Sequence, residues 1–158
     1  MLKGFEPIYS DHSKTLILGS MPSVVSLEKQ EYYGFHLNRF WKIMSVYSGR
    51  QFPDYDAKKQ MILDYDFALW DVIQGCEREG SLDSKIKNPI CSDILGLLEK
   101  APAICRIICN GKKAAELFDL HFKAQFDCEI IYLPSTSNAN RTIKEHELFE
   151  VWLKALNT

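Results

Sequence analysis

The stretch Thr15-Leu16-Ile17-Leu18-Gly19-Ser20-Met21-Pro22-Ser23 joins an uninterrupted apolar run to a small, proline-stiffened turn. Apolar character without polar alternation predicts a strand buried on both faces, the signature of a parallel sheet. Three more runs share it, at Phe67–Ile73, Ile104–Cys109 and Glu129–Leu133, each closed by turn-forming or polar residues. Helical patterns fill the gaps. They cover Asn38–Ser48 with Gly49 as its stop, the more polar Asp54–Tyr65, and Pro89–Leu98 with Asn88 as N-cap. Gly111–Phe122 follows the third strand, and Thr142–Leu156 stacks Leu148, Trp152 and Leu156 on one stripe. The expected fold class is therefore α/β: a three-layer α/β/α arrangement around a central, mostly parallel four-stranded sheet with right-handed crossovers.

At 158 residues the chain is expected to form one domain over residues 1–158, with enough length for a sizeable core. Its 46% hydrophobic and 25% charged residues exclude a disordered composition. The net charge of −2 gives no global case for nucleic acid, so any DNA-binding surface must be local. Five cysteines, Cys76, Cys91, Cys105, Cys109 and Cys128, form no Cys-x-x-Cys pair, which argues against a zinc or iron–sulfur site. They are expected as reduced, mostly buried thiols, with Cys105 and Cys109 on one strand face. No segment approaches the ~20 apolar residues of a membrane span, and the first residues lack a signal-peptide core. A cytoplasmic protein is expected.

In doubly wound folds the ligand site lies outside the carboxyl ends of the strands. Four loops meet there: Gly19–Asn38, Asp71–Asn88, Asn110–Lys113 and Pro134–Arg141. The first lacks the glycine spacing of a phosphate loop or dinucleotide fingerprint. It carries instead the turn Gly19-Ser20-Met21-Pro22 and, after eight residues beyond Ser23, the cluster Tyr32-Tyr33-Gly34-Phe35-His36-Leu37-Asn38-Arg39-Phe40-Trp41. Such a turn lets a ligand approach backbone N–H groups, and the rings offer flat surfaces for stacking.

These motifs resemble the hypoxanthine-DNA glycosylase branch of the uracil-DNA glycosylase superfamily. The likeness rests on Gly19–Pro22, Tyr32-Tyr33-Gly34 and Asn38-Arg39-Phe40-Trp41. It continues in Leu69-Trp70-Asp71-Val72-Ile73, Cys76–Asp83, Asn110-Gly111 and Leu133-Pro134-Ser135-Thr136-Ser137, in order, over residues 15 to 142. The resemblance implies a uracil-DNA glycosylase-like fold and a monofunctional DNA glycosylase. Such an enzyme hydrolyses the N-glycosidic bond of hypoxanthine, with uracil and xanthine as further candidates, and leaves an abasic site. Its partner is DNA containing deaminated bases. Water is the nucleophile, with no cofactor and no metal, and a monomer is expected.

Base excision needs a flipped nucleotide, a placed water and donors for the departing base. Asn38 matches the catalytic asparagine, whose carbonyl orients water; it equally suits an N-cap. Phe40 matches the base-stacking phenylalanine, although a helical aromatic also suits the core. Tyr33, with Gly19, Ser20, Met21 and Pro22, is assigned to base binding, while Tyr32 lines the pocket or covers the loop. Asp71 ends the second strand, where a carboxylate can accept the N1–H bond of hypoxanthine; a turn cap is the alternative.

Pro134, Ser135, Thr136 and Ser137 resemble the loop that presses on the DNA backbone. Asn140, Arg141 and Lys112 join it as DNA contacts, with Arg141 a candidate for the vacated stack and Lys113 beside Lys112. The chain departs from the family pattern at Ser23, where glycine is usual, and at Phe35-His36, where His-Pro is usual. Leu133 replaces the histidine of uracil-specific relatives. Alternative readings are a mismatch-specific uracil or thymine glycosylase, and a non-catalytic module that binds damaged DNA or nucleotides.

Overall fold

A computed structural model describes residues 1–158. Four strands form one parallel sheet: β2 (Thr15–Gly19), β3 (Phe67–Asp71), β6 (Arg106–Asn110) and β7 (Glu129–Leu133), in the order β3-β2-β6-β7. Every residue of β2 and β3 is buried, as their largely apolar character predicts, whereas β7 is a partly exposed edge. Gly19 pairs with Asp71, Leu18 with Cys109, and Asn110 with Leu133. The carboxyl ends of all four strands thus finish level, which delivers Gly19, Asp71, Asn110 and Leu133 to one edge.

The helices are α1 (Val24–Lys29), α2 (Phe40–Ser48), α3 (Tyr55–Asp64), α4 (Ile94–Lys100), α5 (Lys112–His121) and α6 (Glu145–Leu156). α3 packs on β3, α5 on β6, and α6 on both β7 and α2. The expected Leu148–Trp152–Leu156 stripe of α6 is buried. A single cluster of 31 buried apolar residues runs through the sheet and its helices. No helix is long and apolar enough to cross a membrane.

A second sheet was not foreseen. β1 (Leu2–Lys3), β4 (Ile73–Glu77) and β5 (Lys87–Cys91) form a three-stranded antiparallel sheet in the order β1-β4-β5. Two expectations change with it. The run Phe67–Ile73 is not one strand but breaks at Val72, whose N–H still bonds Gly19 O while its C=O turns to accept from Ser92 N–H. Val72 and Ile73 are buried, so apolarity reported burial and not sheet membership.

The expected helix Pro89–Leu98 is also replaced. Its first part is the edge strand β5, and the helix begins only after Asp93, whose carboxylate accepts from Gly96 N–H at 3.1 Å. Proline has no N–H to donate, so it fits an edge strand as well as a helix start, and local sequence cannot separate the two. Asn88 is not an N-cap; it adopts φ 50° beside the irregular β4–β5 register. The cysteines differ as well. Cys105 precedes β6 and is exposed, as is Cys128, while only Cys76 and Cys109 are buried.

Candidate active site

The level carboxyl edge opens into a cleft of roughly 800 Å³ whose walls come from all four expected loops. Gly19 sits at its floor. A Cβ there would collide with the Asp71 carboxylate and lie 2.7 Å from Tyr33 Oη, so only glycine admits both groups. Asp71 is 4% exposed, and its Oδ2 has no hydrogen-bond partner. Burial, then the field of Asp83, pushes its carboxyl up to about 7; Arg78 opposes the shift. Asp83 is itself raised, chiefly by burial, although the Ser20 hydroxyl donates to it at 2.7 Å.

Tyr33 forms the wall beside Asp71. It adopts φ 52°, and its ring stacks on Phe40 with centroids 4.2 Å apart and planes 24° apart. Phe40 is fully buried, with its other edges against Trp41 and Trp152, and does not line the cleft. The ring that borders the cleft is therefore Tyr33, with Phe40 as its backing. Tyr32 lines the cleft from a buried position, its hydroxyl donating to Glu6 O at 2.7 Å. Met21 and Pro22 complete this wall.

Asn38 lines the cleft just before α2. Its Oδ1 accepts from Phe40 N–H at 2.9 Å, so the capping contact exists together with exposure to the cleft. That bond orients the amide and leaves a second lone pair on the oxygen for a ligand or water.

The opposing wall, Pro134–Ser137, is tied down by residues that sequence reasoning passed over. Arg39 donates its backbone N–H and Nε to Thr136 O, at 3.0 and 3.2 Å, and Nη2 to Ser137 O at 2.6 Å. Asn110 donates to Tyr33 Oη at 3.2 Å and Thr136 Oγ1 at 3.1 Å, and accepts from Thr136 N–H at 3.0 Å. Trp152 Nε1 donates to Pro134 O at 2.9 Å. Three walls thus converge on buried Asn110, which the sequence marked by its place at the end of β6 and by the Asn110-Gly111 motif but to which it assigned no role. Asn140 holds Ser135 O through Nδ2 at 3.1 Å, and its backbone turns the chain before α6 begins at Glu145, three residues later than expected.

Lys112 and Lys113 line the mouth at the start of α5, whereas exposed Arg141 does not reach the cleft. Ser23 has a structural use: its hydroxyl caps α1, accepting from Ser26 N–H at 3.1 Å. Phe35 borders the cleft and meets His36, which is exposed, edge-on. No group of three or more His, Cys, Asp or Glu side chains is placed to hold a metal ion.

A four-stranded parallel sheet with a cleft at its carboxyl edge, floored by a glycine and bordered by an asparagine, a buried carboxylate and a stacked tyrosine, is the candidate site of this α/β protein. The model of the uracil-DNA glycosylase superfamily matches residues 6–157, and the chain belongs to that superfamily. It is 37% identical over 147 residues to a hypoxanthine DNA glycosylase of Methanosarcina acetivorans, covering 91% of each chain. It is 33% identical over 141 residues to the protein of that name in Methanosarcina barkeri, covering 88% of each. The solution NMR structure of a candidate uracil DNA glycosylase from Methanosarcina acetivorans superposes with a TM-score of 0.81 at 35% identity, covering 99% of this chain and 98% of that one.

Proposed function

We propose that the protein is a monofunctional DNA glycosylase that excises hypoxanthine from deaminated DNA. The observation that carries this reading is the convergence of Asn38, Asp71 and Tyr33 on one cleft in a chain with these relatives. The flipped base lies against Tyr33 with its Watson–Crick edge toward Asp71. Asn38 holds a water for attack on C1′ as the glycosidic bond breaks with cation character on the sugar. An amide is too weak a base to deprotonate water, so its work is orientation. The proton of the attacking water passes to solvent once C1′ is bonded, and the base departs with the electron pair of the broken bond.

Ionised Asp71 accepts the N1–H of hypoxanthine. Adenine carries a lone pair at N1 and meets repulsion, which separates the deaminated base from its parent. Xanthine N1–H and uracil N3–H present the same donor, which supports them as secondary substrates. Ser135, Thr136, Ser137 and Lys112 supply neutral and charged contacts to the DNA backbone. The cleft is complete within one chain, which supports a monomeric enzyme.

The test uses duplexes carrying inosine, uracil, xanthine or a thymine mispair, with alkali to cleave abasic sites. Breaks at inosine that vanish in Asn38→Ala are expected. Binding to every lesion without breaks at any of them would leave only a damage-binding module.

A further inference from the structure

We propose that Cys105 and Cys128 form a redox-modification site, a pair of exposed thiols on neighbouring strands that a small-molecule disulfide oxidises to a cross-link. The pair lies at the amino end of the parallel sheet, opposite the cleft, and is independent of the glycosylase reading. Pairing of β6 with β7 begins at Arg106 and Glu129. One residue back along both strands, Cys105 stands opposite Cys128. Glu129 N–H bonds Cys105 O at 3.3 Å, which carries the ladder back to that point. Adjacent strands lie ~4.8 Å apart, and opposed residues of a parallel pair share a face. A disulfide needs Cα atoms roughly 4.4–6.8 Å apart. The backbone thus already holds the two cysteines at bridging distance.

Accessibility separates this pair from the other three cysteines. Cys105 and Cys128 are both exposed, whereas Cys76 and Cys109 are buried and Cys91 is half-buried. Burial, then the charge of Asp119, pushes the Cys109 thiol up to about 12, which leaves it inert. Neither exposed thiol is committed to the core. Cys105 Sγ–H donates to Lys14 O at 3.8 Å and Cys128 Sγ–H to Asp127 Oδ1 at 3.9 Å, weak contacts that a χ1 rotation can exchange for a bond between them. The Cys105 backbone is pinned, since its N–H donates to Lys14 O at 2.9 Å. Cys128 leads into β7, the edge strand, whose only strand partner is β6.

The reaction is thiol–disulfide exchange with a low-molecular-weight disulfide, R–S–S–R. The Cys105 thiolate attacks one sulfur, the S–S bond breaks, and the departing R–S⁻ takes up the proton that Cys105 gave up. The Cys128 thiolate then attacks Cys105 Sγ of the mixed disulfide, the Sγ–Sγ bond closes, and the second R–S⁻ leaves as RSH. Two cysteine thiols together lose two electrons, and one small disulfide is reduced to two thiols. The order follows from Cys128, whose thiol is raised by desolvation first and then by Asp127 and Cys105. Its thiolate is therefore scarce, and the first attack falls to Cys105. The second step is intramolecular, which favours it over another encounter with the oxidant. The ring so closed contains α5 and joins the amino ends of two strands whose carboxyl ends carry Asn110 and Leu133 to the cleft.

The experiment incubates the full chain with glutathione disulfide, alkylates the remaining thiols after denaturation, and reads a tryptic digest by mass spectrometry. Wild type should give the peptide Ala101–Arg106 joined to Ala124–Arg141, lighter than the two free peptides by two hydrogen atoms. Cys76, Cys91 and Cys109 should appear alkylated. The oxidised protein should melt roughly 5–10 °C above the reduced one, because the ring restricts the unfolded chain, and dithiothreitol should reverse both changes. Cys105→Ser and Cys128→Ser should each abolish the cross-link and the gain, while melting within about 2 °C of reduced wild type. Wild type that stays reduced, or that collects glutathione at both positions without the joined peptides, overturns the proposal. So does cross-linking through Cys76, Cys91 or Cys109, or a joined pair that lowers the melting temperature. No readout uses DNA, so failure here leaves the proposed function untouched.

Discussion

Asp71 and Ile73 are two residues apart in a run that is apolar except at Asp71 itself, yet they belong to different sheets. In the parallel sheet, β2 and β3 are buried throughout and their pairing runs without a slip from Thr15 to Gly19. In the antiparallel sheet, β5 is exposed over most of its length, and its pairing with β4 shifts register on both sides of Gly75. A one-residue slip in the first sheet would turn buried side chains around and separate Gly19 from Asp71. In the second sheet the central strand β4 is buried at Ile73, Gly75 and Cys76, and the irregularity is taken up by the exposed outer strand β5, against which little is buried. The parallel sheet therefore carries Gly19 and Asp71 to the floor of the cleft, and the connection between β4 and β5 carries its rim, Ser81 to Asp83.

On a common free-energy scale the contrast can be broken at several points. Asn38→Ala should slow single-turnover inosine excision about 1,000-fold, some 4 kcal/mol, while circular dichroism shows a folded protein. Retained activity would remove Asn38 from the chemistry. Ile108→Ala in β6, which is fully buried, should cost about 3–4 kcal/mol and lower the melting temperature by roughly 10 °C. Ile90→Ala in β5, 53% exposed, should cost under about 0.5 kcal/mol; equal losses would refute the division between the sheets.

Asp71→Asn sharpens the contrast because it separates function from stability. Inosine excision should fall about 100-fold, near 3 kcal/mol, since an amide no longer offers two acceptor oxygens. Its stability effect has the opposite sign. The folded carboxyl is raised to about 7, so the native state holds its proton more tightly than the unfolded chain. That stabilisation is full at pH below the unfolded value and is lost as pH rises through about 7. The variant should therefore gain melting temperature over wild type at pH 8 and little at pH 4. Wild-type excision should in turn increase between pH 6 and pH 8 as the reading carboxylate ionises, and a flat profile would count against Asp71 as an ionised acceptor.

Arg39→Ala is the mildest of the activity losses. Freed of its two side-chain bonds to Thr136 O and Ser137 O, the loop should still form, because the backbone N–H of residue 39 still bonds Thr136 O and because Asn110 and Trp152 hold it from the other side. A loss of about 10-fold in kcat/KM is expected, carried mainly by KM on duplex DNA. A loss confined to kcat would point to a direct part in the chemistry.

The parallel strands, most helices and the four site loops were legible because burial and capping are written locally, as at Thr15–Gly19 and at Asp54, which accepts from Ala57 N–H. The second sheet was not legible, since Val72 and Ile73 are apolar for one reason in either sheet and Pro89 fits two conformations. Phe40 was recognisable as an aromatic of the site, but its place behind Tyr33 depends on Trp152, more than 100 residues away. Arg39 and Asn110 could be placed near the site, while their partners at Thr136 could not.

Sequence alone therefore settled which residues can serve: a strand-to-turn glycine, an asparagine before a helix, a carboxylate at a strand end, and their membership in one recognisable set. Folding decided which of them share a cleft and in what electrical state. The physical reason is range. Periodicity, turn chemistry and caps act over a few residues, whereas strand register sets Gly19 beside Asp71 across 52 positions, and long-range burial raises that carboxyl toward neutrality. The turn at Gly19 was visible from the start. What it makes room for was not.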